Sequence, residues 1–259
     1  MGFLKDKVAI VIGVSGRGNM GEGTAKYLIK EGAKVIVAAR REIELKEIAA
    51  EIGATPVVCD ITREEHVEKL AKAALDKFGK LDIAVNTAGQ AIMGDIAVTS
   101  DKDMRAAVDV HFCGTFYFLK HMSAAMKNGG SLVTVSSMTA TRYVANHAAY
   151  MGAKAGADHL VRTAAIEFGP RKIRVNSVSP AFTDGTPMSA QFQKLKGLTE
   201  LFEKEIPLGR LNNVNDVAHA IAWLCHDESY ITGQNIHVSG GNHLTRMPTA
   251  VEMRALMSK

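Results

Sequence analysis

Short apolar, β-branched runs recur along the chain and alternate with stretches whose apolar residues fall at helical spacing. Lys7 to Ile12 (KVAIVI) reads as a buried strand, and a glycine-rich turn from Gly13 to Gly23 follows it. Thr24 to Glu31 reads as a helix ending at Gly32, and Lys34 to Ala39 (KVIVAA) as a second buried strand. Strand, loop, helix and strand in this order form the unit of a parallel sheet. The pattern then repeats. Ile43 to Ile52 is helical and Pro56 to Cys59 is a strand. Thr62 opens a helix through the capping pattern T-x-x-E with Glu65, and Val67, Leu70, Ala71, Ala74, Leu75 and Phe78 form its buried face. Asp82 to Val85 is the fourth strand. Ser100 with Asp103 starts a long helix to Lys127, stopped by Asn128-Gly129-Gly130. Leu132 to Val135 is the fifth strand, and a helix follows it to Gly169-Pro170. Ile173 to Val178 is the sixth strand, Val214 to His226 a helix and Asn235 to Val238 the last strand.

This alternation, without repeats or low-complexity linkers, predicts an α/β fold. The expectation is a single doubly wound domain over residues 1–259, with about seven parallel strands flanked by helices. Residues 181–211 interrupt the rhythm after the sixth strand. They read as a small lid with a helix carrying Met188, Phe192, Leu195, Leu198, Phe202 and Ile206. Ligands in such folds sit beyond the carboxyl ends of the strands, and a long loop there usually covers a site. The tail, residues 242–259, carries Met247, Met253, Leu256 and Met257 and is expected to pack on a neighbour or fray.

Composition narrows the function classes. The chain is 47% apolar and 22% charged, as soluble globular chains are, and no apolar run is long enough to span a membrane. The net charge is +4 with scattered basic residues, so no nucleic-acid partner is expected. The nine His have no metal-ligand spacing, so no metal is expected. Cys59, Cys113 and Cys225 are odd in number and far apart, which predicts reduced, buried thiols and a cytoplasmic setting. The opening MGFLKDKVAIVIG lacks the ordered regions of a signal peptide, and Asp6 breaks the myristoylation pattern.

The turn after the first strand carries candidate chemistry. It holds Gly13, Ser15, Gly16, Arg17, Gly18, Met20, Gly21 and Gly23. Gly16-x-Gly18-x-x-Gly21 fits the dinucleotide fingerprint, and here it stands after a strand and before a helix, as that fingerprint requires. Glycines let the backbone approach a pyrophosphate, and the helix presents its N-terminal amides to the anion. A cofactor with free ribose hydroxyls is usually bound by a carboxylate about 20 residues on. That place is Ala39, followed by Arg40 and Arg41. A carboxylate would repel a 2′-phosphate, whereas guanidinium forks bind it. Arg17 is placed to approach from the loop side. The expectation is NADP(H), with outward-facing, solvated Arg40 and Arg41 as the alternative.

The stretch from Ser136 to Gly156 carries the second constellation. Tyr150 and Lys154 are four apart, so they share one face of a helix. A phenol has a pKa near 10, and a neighbouring ammonium favours phenolate, which suits Tyr150 to proton transfer. Ser137 is placed to hold a carbonyl oxygen. The plain alternative is a buried Tyr and a Lys that reaches for solvent.

Together these motifs resemble the classical short-chain dehydrogenase/reductase family across residues 7 to 241. The glycine loop, Asp60, Asn86-Thr87-Ala88-Gly89, Ser137, Tyr150-x-x-x-Lys154, Asn176-Ser-Val-Ser-Pro180 and Ser239-Gly240-Gly241 stand in family order. The resemblance implies a Rossmann-type domain and family roles. Ser137 positions the substrate oxygen, and Tyr150 exchanges its proton. Lys154 binds the nicotinamide ribose and lowers the Tyr150 pKa. Asp60 and Ile61 meet the adenine, and Asn86, Ala88 and Gly89 line the adenosine side. Pro180, Ala181 and Thr183 flank the nicotinamide, with Thr186 near its amide or the phosphates. Asp60 as a helix cap and Asn86 as a strand brace are the structural alternatives. The resemblance also implies a homotetramer (or homodimer) built on the helices Asp103–Lys127 and Lys154–Phe168.

Three departures from the family pattern stand out. The glycine loop is about two residues longer. His111 stands where the family often has a catalytic Asn whose main-chain carbonyl helps hold a relay water. It is expected either to keep that carbonyl, to bring its imidazole into the relay or only to fill space. Pro180-Ala181 replaces Pro-Gly, and Thr186 comes one residue late.

The expected reaction is NADP(H)-dependent hydride transfer interconverting a lipophilic ketone or aldehyde and its alcohol. The expected pocket walls are Gln90 to Met93, Met138 to His147, Phe182, and the lid residues Met188, Phe192 and Leu195, mostly apolar and with adaptable Met. A 3-oxoacyl-thioester reductase is the nearest rival. Enoyl-thioester reductases generally space Tyr and Lys seven apart, and here the gap is four. A non-catalytic NADP(H)-binding sensor or scaffold is the rival from another class.

Overall fold

The computed structural model describes residues 2–257. The side chains of Gln191, Phe192, Ala250, Arg254 and Met257 lie outside that description, and with them the expected wall residue Phe192. Seven parallel strands form one sheet in the order β3-β2-β1-β4-β5-β6-β7. They are β1 (Val8–Ile12), β2 (Lys34–Ala39), β3 (Thr55–Val58), β4 (Ile83–Asn86), β5 (Gly130–Val135), β6 (Ile173–Pro180) and β7 (Asn235–Val238). The order reverses between β1 and β4, and that reversal places a crevice at the carboxyl ends of the strands.

Alternation along β1 divides the core. Val8, Ile10 and Ile12 face α3 (Glu64–Phe78), α5 (Gly114–Ala125) and α6 (Ala148–Phe168), packing with Leu70, Phe118, Met122 and Val161. Ala9 and Val11 face α1 (Met20–Lys30), α2 (Glu42–Ile52) and α9 (Val214–Cys225), packing with Leu28, Ile48 and Ile221. Because both faces are covered, β1 is buried at every position. Each fully buried Leu, Ile or Phe contributes about 1.5–3 kcal/mol.

Several boundaries move for identifiable reasons. Helix α1 starts at Met20 rather than Thr24, because the Asn19 side chain accepts the Glu22 amide at 2.8 Å and caps it. Thr62 does not cap α3. Its amide and hydroxyl both turn to Asp60 Oδ1, at 3.0 and 2.8 Å, and Arg63 takes the cap position without a side-chain bond. This is a local side-chain bond outcompeting the helix start. The helix expected to run unbroken to Lys127 is interrupted. After α4 (Asp101–Ala107), capped by Ser100, the turn Val108–Cys113 is π-helical, and its last bond runs from the Gly114 amide to the Asp109 carbonyl. Such bulges mark functional sites more often than ordinary helix does, and His111 lies in this one.

The lid is two short helices, α7 (Ala190–Gln193) and α8 (Leu198–Glu203), rather than one. The described part of the tail packs on its own chain. Helix α10 (Ala250–Met257) folds back over the lid, and Met247, Met253 and Leu256 pack on Leu198, Phe202, Ile206 and Leu211. Arg246 ties the two together, pairing with Glu205 of the lid at 2.7 Å and with Glu252 at 2.8 Å. It holds the Glu252 carboxyl down at about 2, helped by Thr249. Among the described residues no helix is long and apolar enough to cross a membrane, and no group of His, Cys, Asp or Glu has metal-binding geometry. Cys59 and Cys225 are buried free thiols, both pushed up to about 12 by burial, whereas Cys113, expected to be buried as well, is half-buried.

Candidate active site

Two adjoining cavities open above the carboxyl ends of the strands. The first, about 430 Å³, follows the glycine loop and the ends of β1, β2 and β4. Gly13, Ser15, Gly16, Met20 and Gly21 form its floor, and Arg40, Arg41, Asp60, Ile61, Ala88, Gly89 and Thr186 line it. The backbone here demands glycine. Gly13 has φ +102°, and a Cβ on Gly21 would stand 2.7 Å from the Gly13 carbonyl oxygen. That close helix-to-strand approach is what the last glycine of the fingerprint provides. The loop, the N-terminus of α1 beside it and the crevice position fit a dinucleotide.

The arginines separate clearly. Arg17 does not line the cavity; its guanidinium pairs with Glu51 at 2.5 Å. Arg41 lines it but donates to the Ser15 carbonyl and sits 3.2 Å from Glu44. Arg40 lines it with no hydrogen bond or ion pair among the described residues. Asp60 reaches the cavity wall, although its Oδ1 also holds the turn into α3. Asn86 is buried behind the wall, where its side chain accepts the Ala88 amide at 3.0 Å and braces the turn. Gly18 also lies off the lining, and its amide donates to Glu22 at 2.6 Å.

The second cavity, about 440 Å³, is the more apolar. Ser137, Tyr150 and Lys154 stand together in its wall, with Pro180, Ala181 and Thr183 alongside. The spacing on α6 does this: Tyr150 and Lys154 are one turn apart, and the ammonium lies 5.9 Å from the phenol ring centre. Lys154 is buried and donates to the Val135 carbonyl at 2.6 Å. Burial lowers its pKa to about 8, and Asp158 opposes the fall. The expected depression of the Tyr150 pKa is absent in this state. Burial raises it, and the hydrogen bond with Ser137 only partly offsets that. Tyr150 is therefore a protonated phenol at neutral pH.

His111 closes the back of the site. Its ring stands edge-on to Tyr150, with centres 4.9 Å apart and planes at 88°. Nε2 lies 3.0 Å from the Gln90 carbonyl, so Nε2 carries the hydrogen and donates it. Nδ1 is then a buried acceptor without a partner. Burial and the nearby Lys154 hold the imidazole neutral, with a pKa of about 3. The His111 carbonyl accepts from the Thr115 hydroxyl at 2.6 Å.

Met93, Met138, His147, Phe182 and Met188 are lining residues of the second cavity, at their expected places. Val144, within the expected stretch Met138 to His147, lines it as well; sequence reasoning missed Met247 and Met253 of the tail. The Met247 and Met253 signal was present as apolar residues in a tail that had no assigned partner. Phe182 stacks on Phe202 of α8 at 4.7 Å, which binds the lid to the end of β6.

The family described as enoyl-(acyl carrier protein) reductase matches residues 13–243. A borneol dehydrogenase, described as mitochondrial, from Lavandula x intermedia is 34% identical over 245 residues, covering 92% of this chain and 91% of the relative. A short-chain type dehydrogenase/reductase from Mycobacterium ulcerans superposes with a TM-score of 0.91 at 30% identity, covering both chains fully. A 3-ketoacyl-(acyl-carrier-protein) reductase from Brucella melitensis, solved with NADH, superposes with a TM-score of 0.84 at 33% identity, covering 93% of this chain and 99% of that one.

Proposed function

Because the chain belongs to the classical short-chain dehydrogenase/reductase family and is an oxidoreductase using a nicotinamide cofactor, we propose that it interconverts a lipophilic ketone and the corresponding secondary alcohol with NADP(H). The carrying observation is the placing of Ser137, Tyr150 and Lys154 in the wall of an apolar cavity that adjoins the glycine-loop crevice. When bound, the nicotinamide supplies or takes the hydride. Gly13, Ser15 and Gly21 would hold the phosphates, and Arg40 would meet the 2′-phosphate.

In the reduction direction Ser137 donates a hydrogen bond to the carbonyl oxygen and steadies the charge that develops there. Tyr150 gives its proton to that oxygen as the alkoxide forms. Its raised pKa keeps the phenol protonated and ready for this direction. Lys154, one turn on, stabilises the phenolate left behind and holds the ribose. His111 takes no charge in this scheme; its neutral Nδ1, unpartnered in the fold, is the acceptor left over for a proton path behind Tyr150. Alcohol oxidation runs the same steps backward.

An alicyclic ketone suits the walls, whose large apolar members are Met, Val, Leu and Phe and whose Lys and Arg content among the described residues is Lys154 alone. The borneol dehydrogenase relative, whose named substrate is a bicyclic alcohol, supports this class. The Brucella structure favours a 3-oxoacyl thioester as the second reading. We place the working form as a homotetramer or homodimer in the cytoplasm. Exposed Phe116 on α5 and Ile166 on α6 support the assembly. The test is a panel of cyclic ketones, acyclic ketones and 3-oxoacyl thioesters with NADPH, run beside Tyr150→Phe. Turnover of cyclic ketones that Tyr150→Phe abolishes, with cofactor affinity unchanged, is the expected result. Full activity of the Phe variant would end the assignment.

A further inference from the structure

Three residues of α6 at four-residue spacing meet three consecutive residues where β5 ends. Tyr150 meets Ser137. Lys154 donates to the Val135 carbonyl at 2.6 Å. One turn further, Asp158 takes Ser136, whose hydroxyl donates to Oδ2 at 2.8 Å. The Asp158 carboxyl is 4% exposed and receives two more bonds, from Ser177 Oγ to Oδ1 at 2.9 Å and from Asn235 Nδ2 to Oδ2 at 2.5 Å. Ser177 and Asn235 are register partners on β6 and β7. One carboxyl thus ties α6 to the ends or interiors of three strands.

Burying a carboxylate is costly unless it is paired and hydrogen-bonded. Burial raises the Asp158 pKa, and the three neutral hydrogen-bond donors and the Lys154 ammonium, one turn back on α6, oppose that rise. The titratable groups facing the pair are Tyr150 on the same helix, His111 from the π-helical turn and His237 from β7. His111 is neutral, with a pKa of about 3. Burial together with His243 lowers the His237 pKa. Neither therefore supplies a competing counter-charge at neutral pH.

We propose that Asp158 is a positioning residue of the reaction: its buried carboxylate is the counter-charge of the Lys154 ammonium and, through Ser136, sets the α6 face that carries Tyr150 against β5. The inference rests on the reading of Tyr150 and Lys154 as the proton-handling pair. Without Asp158 the ammonium stands alone in a buried site, loses its proton at lower pH and stops supporting Tyr150. Ser136→Ala removes a hydrogen bond but no charge, so it separates charge from shape.

The test titrates Lys154 directly by NMR on the full chain labelled with ¹³Cε-lysine, its resonance identified by loss in Lys154→Met. Asp158→Asn should lower the Lys154 midpoint by about one pH unit, while Ser136→Ala leaves it near wild type. An unchanged midpoint in Asp158→Asn, or an equal fall in Ser136→Ala, overturns the inference. If Asp158→Asn does not fold, the reciprocal measurement serves: Lys154→Met should raise the Asp158 carboxyl midpoint, and no rise overturns it. With NADPH and cyclohexanone, the alkaline limb of kcat should move to lower pH in Asp158→Asn, and a limb that stays in place also overturns it. Should the wild type reduce no ketone, the proposed function fails by itself and the NMR titration still decides the role of Asp158.

Discussion

Replacing Arg40 by Ala should weaken NADPH binding and leave NADH binding almost untouched. The three candidate arginines differ in what already occupies them. Arg17 is held by Glu51 at 2.5 Å, and Arg41 by the Ser15 carbonyl and Glu44. Arg40 lines the crevice with no such partner among the described residues, so its guanidinium reaches a 2′-phosphate without breaking a bond first. A hydrogen bond to a charged group contributes about 1.5–3 kcal/mol. Arg40 is exposed, and salt screens exposed charges over roughly 8–10 Å. The lower end applies, about 1.5–2 kcal/mol, or roughly 10- to 30-fold in Kd. Calorimetric titration of wild type, Arg40→Ala and Arg17→Ala with NADPH and NADH at fixed salt reads this directly. Arg17→Ala should change NADPH affinity by less than about threefold, because screened surface pairs contribute roughly 0–1 kcal/mol. Equal losses of both cofactors in Arg40→Ala would refute the phosphate contact. Tighter NADH than NADPH binding by the wild type would refute the cofactor preference itself.

Met253→Ala should raise KM for a bulky cyclic ketone by about 5- to 10-fold, from about 1–1.5 kcal/mol of lost apolar wall, and spare a small acyclic ketone; equal effects on both would detach the tail from the substrate. Phe118→Ala, on α5 and fully buried against the sheet and α3, should cost about 3–5 kcal/mol in denaturant unfolding, and a loss under about 1 kcal/mol would contradict the packing. His111→Asn should lower turnover if the unpartnered Nδ1 serves the proton path, whereas an unchanged pH–rate profile would reduce His111 to packing. Lys154 titrates at about 8 in the fold against its ordinary 10.5. Between those values the unfolded chain keeps a proton that the folded chain has lost, so the Lys154 contribution to stability is least favourable below pH 8 and improves as pH rises toward 10.5. Denaturation of wild type and Lys154→Met at several pH values across that window checks the sign; a stability difference that moves the other way would contradict the buried ammonium.

The strand runs were legible because a parallel strand buried on both faces must be apolar throughout, and KVAIVI and KVIVAA are. The glycine loop was legible because a close helix-to-strand approach excludes a Cβ, which Gly21 still demonstrates. Tyr150 and Lys154 were legible because helical spacing is local. Capping of α3 was misread, because Thr62 had a nearer acceptor in Asp60. The π-helical turn at His111 was also not legible. A single bulged turn has no spacing motif of its own in the sequence, and it is seen only where Val108–Cys113 packs against α6.

The sequence by itself determined the fold class and the crevice and set Tyr150 and Lys154 on one helix face, since each rests on periodicity or on spacing within one element. The tertiary structure alone decided which arginine is unengaged, which side chains close the second cavity, and what surrounds Lys154. Those answers depend on residues far apart in the chain. Glu51 occupies Arg17 across 34 positions. Arg246 and Glu205 draw the tail over the lid. Asp158, Ser136, Ser177 and Asn235 meet only once three strands and a helix are assembled. Electrostatics in a buried site follows from distance and desolvation, and neither is written in the local order of residues.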